Sequence, residues 1–443
     1  MSLPRYPKYK DSGVEWLGKV PEHWEVYALK RIANLQSGDT ISPDDIEEDG
    51  QYPVFGGNGL RGYTTNFTHD GTHALIGRQG ALCGNINYAH GKFWASEHAV
   101  VVSTLNNVET VWLGELLRAM NLNQYSVSAA QPGLSVDIIR NLFIAVPPLQ
   151  EQYMISAFLD REKAKIDALV EEQRQLIELL KEKRQAVISH AVTKGLNPHA
   201  KMRPSGIEWL GDVPAHWEVK KFGHISAVVR GASPRPAGDE RYFNGEFIPW
   251  ITVGEITKDT DMCLISTEEM LTKEGADLSR TIESGTLVLT NSGATLGVPK
   301  ILSITGCAND GILAFLKLHQ DASKQFLYYY LSSLTENLRD RVKQGSGQPN
   351  LNTDIVKTLA VPWPARNEQN AIATFLDMKT TEFDTLVEQV VRAIDLLQER
   401  RTALISAAVT GKIDVRGQAG GGHEPALISS SLPDKSSYNI QIS

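Results

Sequence analysis

Three short patterns in this sequence contain residues whose types and spacing could perform chemistry. The glycines of residues 57–62 have the Gly-x-Gly-x-x-Gly spacing of a dinucleotide-binding loop. His69 and His73 have a spacing that suits two zinc ligands on one helix, and DREK at 160–163 contains the charged residues of a nuclease site. Each chemistry requires a particular local structure around these residues.

The surrounding sequence argues against all three chemistries. A dinucleotide loop should open a helix, but YTTNFT follows the glycines and no βαβ unit is evident. Gly71 lies between the two histidines and predicts a loop. DREK lies inside a long helical stretch, and no NPPY-like methyltransferase segment occurs. We therefore expect no catalytic residue and no metal site in this chain.

Composition narrows the class of protein further. The 443 residues are too many for one core, and the formal net charge of −8 means that any nucleic-acid-binding surface must be local. Cys83, Cys263 and Cys307 are far apart and form no CxxC pair. The opening MSLPRYPKYK is no signal peptide, and no apolar run approaches the ~18 residues of a membrane span. These features predict a cytoplasmic protein with reduced thiols and no membrane association.

The sequence is internally duplicated. EWLGKVPEHWEV at 15–26 returns as EWLGDVPAHWEV at 208–219, 193 positions later. QPGLSVDIIRNL at 131–142 matches QPNLNTDIVKTL at 348–359, now 217 residues apart. Each half therefore contains an entry motif, a variable body, a QP motif and a long uninterrupted stretch, which indicates two equivalent structures.

The two long stretches predict helices. Residues 151–192 and 368–409 contain neither proline nor glycine, and apolar residues recur there every seven positions. An amphipathic helix packed on its own body would explain part of this pattern. Two ladders in the same register favour helices that pack on each other. The predicted coiled-coil interface consists of Leu159, Ile166, Leu169, Leu176, Leu180, Val187, Leu376, Phe383, Leu386, Val390, Leu397 and Leu404.

These elements predict an α+β fold. The chain enters the second body from the first helix and leaves it into the second helix, so the two helices should run antiparallel with a globular α/β body at each end. A pseudo-two-fold axis should relate the bodies. The predicted bounds are 1–150 and 198–366 for the bodies, 151–197 and 367–413 for the coiled-coil helices, and 414–443 for a disordered tail.

The repeated motifs resemble the specificity subunit of Type I restriction-modification systems. The resemblance covers about residues 1–414, and it rests on the entry motifs, the QP segments, the AVPP and AVPW turns and the FLD-led helices. It implies that each body is a target recognition domain for one half of a split, asymmetric DNA target. It also implies that the helix pair sets the spacing and docks other subunits.

Partners and cofactors follow from the same resemblance. It implies double-stranded DNA, modification subunits (two copies), and restriction subunits with ATP-dependent translocase and nuclease activity. S-adenosylmethionine, ATP and Mg would be used by those partners, and no cofactor would be bound by this chain. Two alternatives stay open from the residues alone: a coiled-coil scaffold whose bodies bind protein, and a self-sufficient nuclease.

Polar residues in glycine- and proline-framed loops are the candidate DNA contacts. Arginine suits guanine, while asparagine and glutamine suit adenine. Each residue also fits a solvated loop position, and those of the QP loops could instead cap the following helix. The tryptophans of the entry motifs could stack on bases, but we expect them to pack on the bodies. The candidates are Arg61, Tyr63, Arg78, Gln79, Gln131, Arg235, Asn291, Ser292, Gln348 and Asn350.

Overall fold

The computed structural model describes residues 3–80, 82–105, 107–126, 133–293, 295–343 and 351–418, with the backbone alone for 340–343. The chain divides into two compact units. Unit 1 comprises Met1–Gln173 with Arg392–Ser443, and unit 2 comprises Arg174–Val391. Each long helix contributes one part to each unit, and the units are described separately below.

Unit 1 contains two four-stranded sheets, ordered β6-β5-β10-β7 and β4-β11-β8-β9, and the two-stranded pairs β1-β2 and β12-β3. Hydrophobic runs such as Ala99–Thr104 form the central strands, because both faces of such a strand are buried. The elements are β1 (Tyr9–Asp11), β2 (Lys19–Pro21), β3 (Glu25–Ala28), β4 (Ala33–Ser37), β5 (Tyr52–Gly56), β6 (Gly59–Thr64), β7 (His69–Asp70), β8 (His73–Gly77), β9 (Ile86–Ala89), β10 (Lys92–Ala95), β11 (Ala99–Thr104), α1 (Thr110–Ala119), α2 (Val136–Arg140), β12 (Phe143–Val146) and α3 (Leu149–Lys194).

Unit 2 repeats this plan with a four-stranded sheet, β19-β17-β23-β20, and a five-stranded sheet, β16-β24-β21-β22-β18, beside the pairs β13-β14 and β15-β25. Its elements are β13 (Met202–Pro204), β14 (Asp212–Pro214), β15 (Glu218–Lys221), α4 (Phe222–Ile225), β16 (Ala227–Arg230), β17 (Phe243–Ile251), α5 (Val253–Thr257), β18 (Cys263–Leu264), β19 (Met270–Leu271), α6 (Lys273–Asp277), β20 (Arg280–Ile282), β21 (Leu287–Thr290), β22 (Pro299–Leu302), β23 (Gly306–Ala308), β24 (Ile312–Leu316), α7 (Lys324–Lys343), α8 (Thr353–Thr358), β25 (Ala360–Trp363) and α9 (Arg366–Val409).

Within each unit the two long helices pack antiparallel. In unit 1 the first turns of α3, with Ile155 and Leu159, share a core with Ile405 and Val409 at the end of α9. In unit 2 the end of α3 shares a core with the start of α9, where Leu376 is fully buried. The predicted antiparallel helix pair is therefore confirmed inside each unit.

An ion pair between the long helices is duplicated. Arg401 Nε lies 3.4 Å from Asp167 Oδ1 in unit 1, and Arg184 Nε lies 3.6 Å from Asp384 Oδ1 in unit 2. Both carboxylates and both arginines are related by the same 217-residue offset as the sequence repeat. The repeat therefore extends to individual contacts between the helices.

The predicted coiled-coil interface has two ladders, and the second, which consists of Leu169, Leu176 and Leu386, is wrong by one position. Leu159, Ile166, Leu376, Phe383 and Val390 are buried as predicted, and Leu180, Val187, Leu397 and Leu404 are half-buried. In contrast, Leu169, Leu176 and Leu386 are 43%, 39% and 38% exposed. The half-buried row consists instead of Val170, Ile177, Val387 and Ile394.

The physical reason for this shift is the heptad phase. Val170 lies four residues after Ile166, whereas the predicted Leu169 lies three after it. The row of Leu159 and Ile166 occupies heptad d positions, and the next a position comes four residues after a d position. Leu169 precedes Val170, and Leu386 precedes Val387, so each site offered two adjacent apolar residues. Periodicity alone did not distinguish between them.

A Glu-Gln pair fixes the start of each long helix to its body. In unit 1, His23 Nε2 lies 2.7 Å from Glu151 Oε2, and Gln152 Oε1 accepts a hydrogen bond from the backbone N–H of Glu109 at 2.8 Å. In unit 2, His216 Nε2 lies 3.0 Å from Glu368 Oε2. The neighbouring Gln369 accepts the backbone N–H of Ser323 at 2.8 Å and so completes the same arrangement.

The ordered chain continues past α9. The backbone N–H of Asp414 donates to the carbonyl of Pro4 at 2.8 Å, and Val415 is buried in the core of unit 1. Residues 414–418 of the predicted tail are thus packed, because Val415 completes a core. Residues 419–443 lie outside the described residues. Among the helices that the structure describes, none is both long and apolar enough to cross a membrane.

Gly411 closes the entry motif of unit 1 against the end of α9. Its φ of +73° is in the left-handed region, and an added Cβ would lie 2.4 Å from Pro21 Cδ. We expect Gly411→Ala to lower the free energy of unfolding by about 1–2 kcal/mol for the backbone and by about 1–3 kcal/mol more for the overlap. Chemical denaturation followed by far-UV circular dichroism measures this loss.

Gly13→Ala is the matched control for that substitution. Gly13 has a φ of +68°, but no heavy atom lies within 4 Å of an added Cβ. It should therefore lose only the backbone contribution. Equal losses for the two variants would show that the contact with Pro21 does not matter.

Candidate nucleic-acid interface

The glycine pattern of residues 57–62 forms a hairpin turn. It joins β5 to β6, and Gly59 and Gly62 have φ values of +101° and +149°. Gly59 and Gly62 lie in strand β6 rather than at the start of a helix, so the pattern lacks the helix N-terminus that would hold a pyrophosphate. The glycines therefore allow the chain to turn between two strands, as expected for a loop.

This hairpin forms part of a cavity of about 480 Å³ at the surface of unit 1. The cavity also receives Gln79 from the turn after β8, and His98 from the turn before β11. His98 Nδ1 lies 3.0 Å from Gln79 Oε1, and Glu97 Oε1 lies 3.2 Å from His98 Nε2. We call this surface loop face 1, and its lining residues are Gly57, Asn58, Gly59, Leu60, Arg61, Gln79, Leu82 and His98.

Unit 2 has a cavity of about 350 Å³ beside the turn before β24. Arg235 contributes an exposed guanidinium between two prolines, and its Nη2 lies 3.1 Å from Asp310 Oδ2. Asp310 lies in the turn before β24, the counterpart of the turn before β11. We call this surface loop face 2, and its lining residues are Ser233, Pro234, Arg235, Ala237, Gly238, Phe243, Asn244, Trp250, Glu269 and Asp310.

The turns after β8 and β21, which lie next to the two loop faces, share one backbone frame. The N–H of Leu134 donates to the carbonyl of Arg78 at 2.9 Å, and the N–H of Leu351 donates to the carbonyl of Asn291 at 2.7 Å. Leu134 and Leu351 each follow a QP motif in the sequence. The described chain therefore resumes beside the loop face in both units.

The structure brings together two of the DNA contacts predicted in unit 1. Arg61 and Gln79 are exposed and line loop face 1. Arg78 is half-buried, and its Nη1 donates to Ser37 Oγ at 3.3 Å, so it braces the turn. Tyr63 is half-buried on β6, where its backbone pairs with Glu47. Gln131 lies outside the described residues.

In unit 2, one predicted contact lines the cavity, whereas another is buried and does not. Arg235 lines loop face 2, and Ser292 is half-buried in the adjacent turn. Asn291 is fully buried, and its Nδ2 donates to the carbonyl of Asp310 at 3.1 Å. A buried amide cannot reach a base edge, so Asn291 supports the loop instead of contacting DNA. Gln348 and Asn350 lie outside the described residues.

Sequence reasoning missed the carboxylates of the two loop faces. Glu97 and Asp310 occupy the same turn, since the residue after each accepts a hydrogen bond from the N–H of Arg78 or Asn291, at 2.8 and 2.9 Å. Acidic loop residues are common and give no signal alone. Aligning SEHAVVV with NDGILAF would have placed the two acids at one repeat position.

The remaining candidates have structural positions. Trp24 and Trp217 are buried, so their predicted packing role is confirmed. Asn352 Oδ1 accepts the N–H of Ile355 at 2.8 Å and caps α8, the helix that follows the second QP motif. In the described part of the chain, no three His, Cys, Asp or Glu side chains lie close enough together to hold a metal ion.

Two repeated units whose equivalent turns stand beside loop faces with different polar side chains define a class of protein that presents two distinct recognition surfaces. The family model for the Type I restriction modification DNA specificity domain matches residues 21–179 and 214–392. The two matches cover most of the chain, one in each copy of the repeat. The chain belongs to this family of specificity subunits.

Individual relatives agree with the family. The chain is 22% identical to the Type I restriction enzyme MjaVIII specificity subunit of Methanocaldococcus jannaschii, over 90% of this chain and 95% of that protein. It is 45% identical to the EcoprrI specificity subunit of Escherichia coli over 150 residues, which are 33% of this chain and 37% of that protein. The second alignment concerns only about a third of each protein.

Solved structures share the fold. A chain from a study of complex assembly and conformational transition in the type I R-M system has a TM-score of 0.66 and 14% identity. It covers 88% of this chain and 98% of its own length. The HsdS subunit from Thermoanaerobacter tengcongensis has a TM-score of 0.50 and 15% identity, with 89% and 98% covered. These likenesses support the two-domain α+β arrangement.

Membership of this family decides between the functions that the residues left open. The chain is a DNA-sequence-recognition subunit, not a protein-binding scaffold without sequence recognition. Specificity subunits act together with other subunits and with DNA, and the family is generally non-catalytic.

Proposed function

We propose that this chain reads a split, asymmetric target in double-stranded DNA, one half with loop face 1 and the other with loop face 2. The observation that carries the proposal is a set of equivalent turns with unequal side chains around them. Arg61, Gln79 and His98 line one face, whereas Arg235 and Asp310 line the other. Two readers with different hydrogen-bonding groups recognise different base sequences.

We also propose that catalysis belongs to partner chains. Two modification subunits would dock on this chain and transfer methyl groups from S-adenosylmethionine. Restriction subunits would use ATP and Mg for translocation and cleavage. The names of the relatives, which call them specificity subunits of Type I restriction enzymes, support this division of labour.

The two long helices would set the distance between the half-targets. Each helix begins in one unit and ends in the other. The number of helical residues that link the two units therefore depends on the length of each helix. Removing one heptad from each helix shortens the pair by about 10 Å, or about three base pairs of DNA. A shorter preferred spacer in a selection from DNA with randomised spacing supports this role, and an unchanged spacer contradicts it.

Arg235→Ala tests the assignment of loop face 2. The exposed guanidinium is the strongest hydrogen-bond donor on that surface, and loss of a bidentate guanine contact costs about 1–3 kcal/mol. We expect methylation mapping of cells carrying the system to show a target that is relaxed at one position of a single half. Arg61→Ala should relax a position in the other half.

Lys379→Ala is a suitable control for these variants. Lys379 lies on α9, pairs with Glu382 on the same helix at 2.7 Å and lines neither loop face. The substitution removes a positive charge without changing either loop face, so the target should stay the same. An unchanged target in both arginine variants would contradict the assignment of the loop faces.

A further inference from the structure

One turn carries a carboxylate in both units, although the loop faces around it differ. Glu97 precedes β11 and Asp310 precedes β24. In both turns the first residue of the strand donates its N–H back to the residue three before it, at 2.9 Å for Ala99 and 3.1 Å for Ile312. The two acids therefore occupy the same position of the same turn.

Asp310 holds the exposed arginine of loop face 2. Its Oδ2 lies 3.1 Å from Arg235 Nη2, and its Oδ1 accepts a hydrogen bond from Ser233 Oγ at 2.7 Å. Its main-chain carbonyl also accepts a hydrogen bond from Asn291 Nδ2 at 3.1 Å. The carboxylate is thereby fixed by two loops while the Arg235 side chain stays 69% exposed.

The ionised form of this acid is favoured in the free protein. The hydrogen bond from Ser233 and, after it, the charge of Arg235 hold the pKa of the Asp310 carboxyl below its usual range, against the opposing effect of partial burial. Asp310 is therefore an anion at neutral pH. One edge of the guanidinium faces this anion, and its other N–H groups remain available to a ligand.

Glu97 contacts loop face 1 indirectly, because His98 lies between Glu97 and Gln79. Its Oε1 lies 3.2 Å from His98 Nε2, and His98 Nδ1 lies 3.0 Å from Gln79 Oε1. The ring is thus held between the acid and the amide that lines the cavity. The second oxygen, Glu97 Oε2, is buried without a hydrogen-bond partner among the described residues, so this acid has capacity for a further donor.

A carboxylate at a DNA-reading surface carries an electrostatic cost. It repels phosphates and so weakens binding to every sequence. What it provides is orientation, because a polar side chain held in one direction discriminates between bases better than a mobile one. An acid that lowers general affinity and raises discrimination is a device for specificity.

We propose that Glu97 and Asp310 are positioning residues that determine sequence specificity, Glu97 through His98 and Gln79, and Asp310 through Arg235. This proposal rests on the proposed function of the two loop faces and adds the groups that orient their readers. Its signature separates it from a general stabilising role. Removing either charge should reduce discrimination in one half of the target without weakening binding to unrelated DNA.

The test uses Asp310→Asn in the full chain, in complex with its modification subunits. Asparagine keeps the shape and an acceptor for Ser233 but loses the charge. Competition binding should show that the preference for the target over a single-base variant in the half read by unit 2 falls by on the order of ten-fold. Affinity for non-specific DNA should be equal or higher, and discrimination in the other half should be unchanged.

Asp321→Asn is the matched control. Asp321 follows β24 at the opposite end from Asp310, and it forms an exposed pair with His319 at 3.6 Å. The same charge is lost there, so a change in non-specific affinity due to net charge alone appears in both variants. Only Asp310→Asn should change discrimination.

Glu97→Gln provides an independent arm that should relax the half read by unit 1. It decides the question alone if Asp310→Asn fails to fold. Full discrimination in both variants overturns the proposal, and so does an equal loss in both halves from either variant. Arg235→Ala distinguishes the two levels, because an unchanged target there overturns the proposed loop face itself, whereas a relaxed target with a fully selective Asp310→Asn overturns only the positioning role.

Discussion

Ile166→Ala should lower the free energy of unfolding by about 2–5 kcal/mol, as expected for a buried aliphatic side chain whose cavity only partly collapses. Ile166 is 5% exposed in the first ladder of α3. It lies in the interior of α3, away from both ends of the helix. Chemical denaturation followed by circular dichroism gives the value, and tryptophan fluorescence reports separately on the bodies.

Leu169→Ala is the control that makes this prediction specific to the heptad phase. Leucine and isoleucine have the same volume, and the two positions are three residues apart on one helix. Leu169 is 43% exposed, so its truncation should cost about 1 kcal/mol or less. If Leu169→Ala were as damaging as Ile166→Ala, Leu169 would belong to the helix–helix interface, as predicted from the sequence, and Val170 would not take its place.

A fragment of residues 1–203 should form a dimer and, with modification subunits, methylate an inverted repeat of the first half-target. In the full chain, Ile405, Ala408 and Val409 of α9 complete the core of unit 1. Their counterparts 217 residues earlier are Ile188, Ala191 and Val192 of α3, which the fragment contains. Each copy can thus supply the helix end that the other lacks, in a closed two-fold arrangement.

Light scattering measures the dimer, and methylation mapping identifies its target. The matched control is the same fragment with Val192→Asp, which places a charge where the partner copy needs a buried side chain. This variant should lose both dimerisation and methylation. A wild-type fragment that stays monomeric, or a dimer that still marks the parent's asymmetric target, contradicts the argument.

Most of the scaffold could be predicted because it depends on repeated local patterns. The duplicated entry motif and the absence of proline and glycine from 151–192 were sufficient for two bodies and two long helices. The heptad phase was not predictable in the same way. It depends on which of two adjacent apolar residues faces the core, as for Leu169 and Val170, and that choice is made by packing with the other helix.

The recognition surface could be predicted only in part. Arg61, Gln79 and Arg235 stood out because glycine or proline framed them. Asn291 had the same framing, yet its amide is buried against the carbonyl of Asp310. The importance of Asp310 itself comes from three loops that meet in space, namely the loop of Ser233 and Arg235, the turn of Asn291 and the turn of Asp310, and no short sequence pattern records such a meeting.

The two ends of the described chain meet in unit 1, where Pro4 accepts a hydrogen bond from the backbone N–H of Asp414 and Tyr9 donates to the carbonyl of Gly411. The segment before β1 and the segment after α9 therefore pack against each other. The turn after α3, beginning at Gly195, is the equivalent place in unit 2. A permuted chain that began there, with residues 4 and 414 connected through a linker, would contain the same two readers in the reverse order. The order of the two bodies along the chain would change while each loop face kept its own residues.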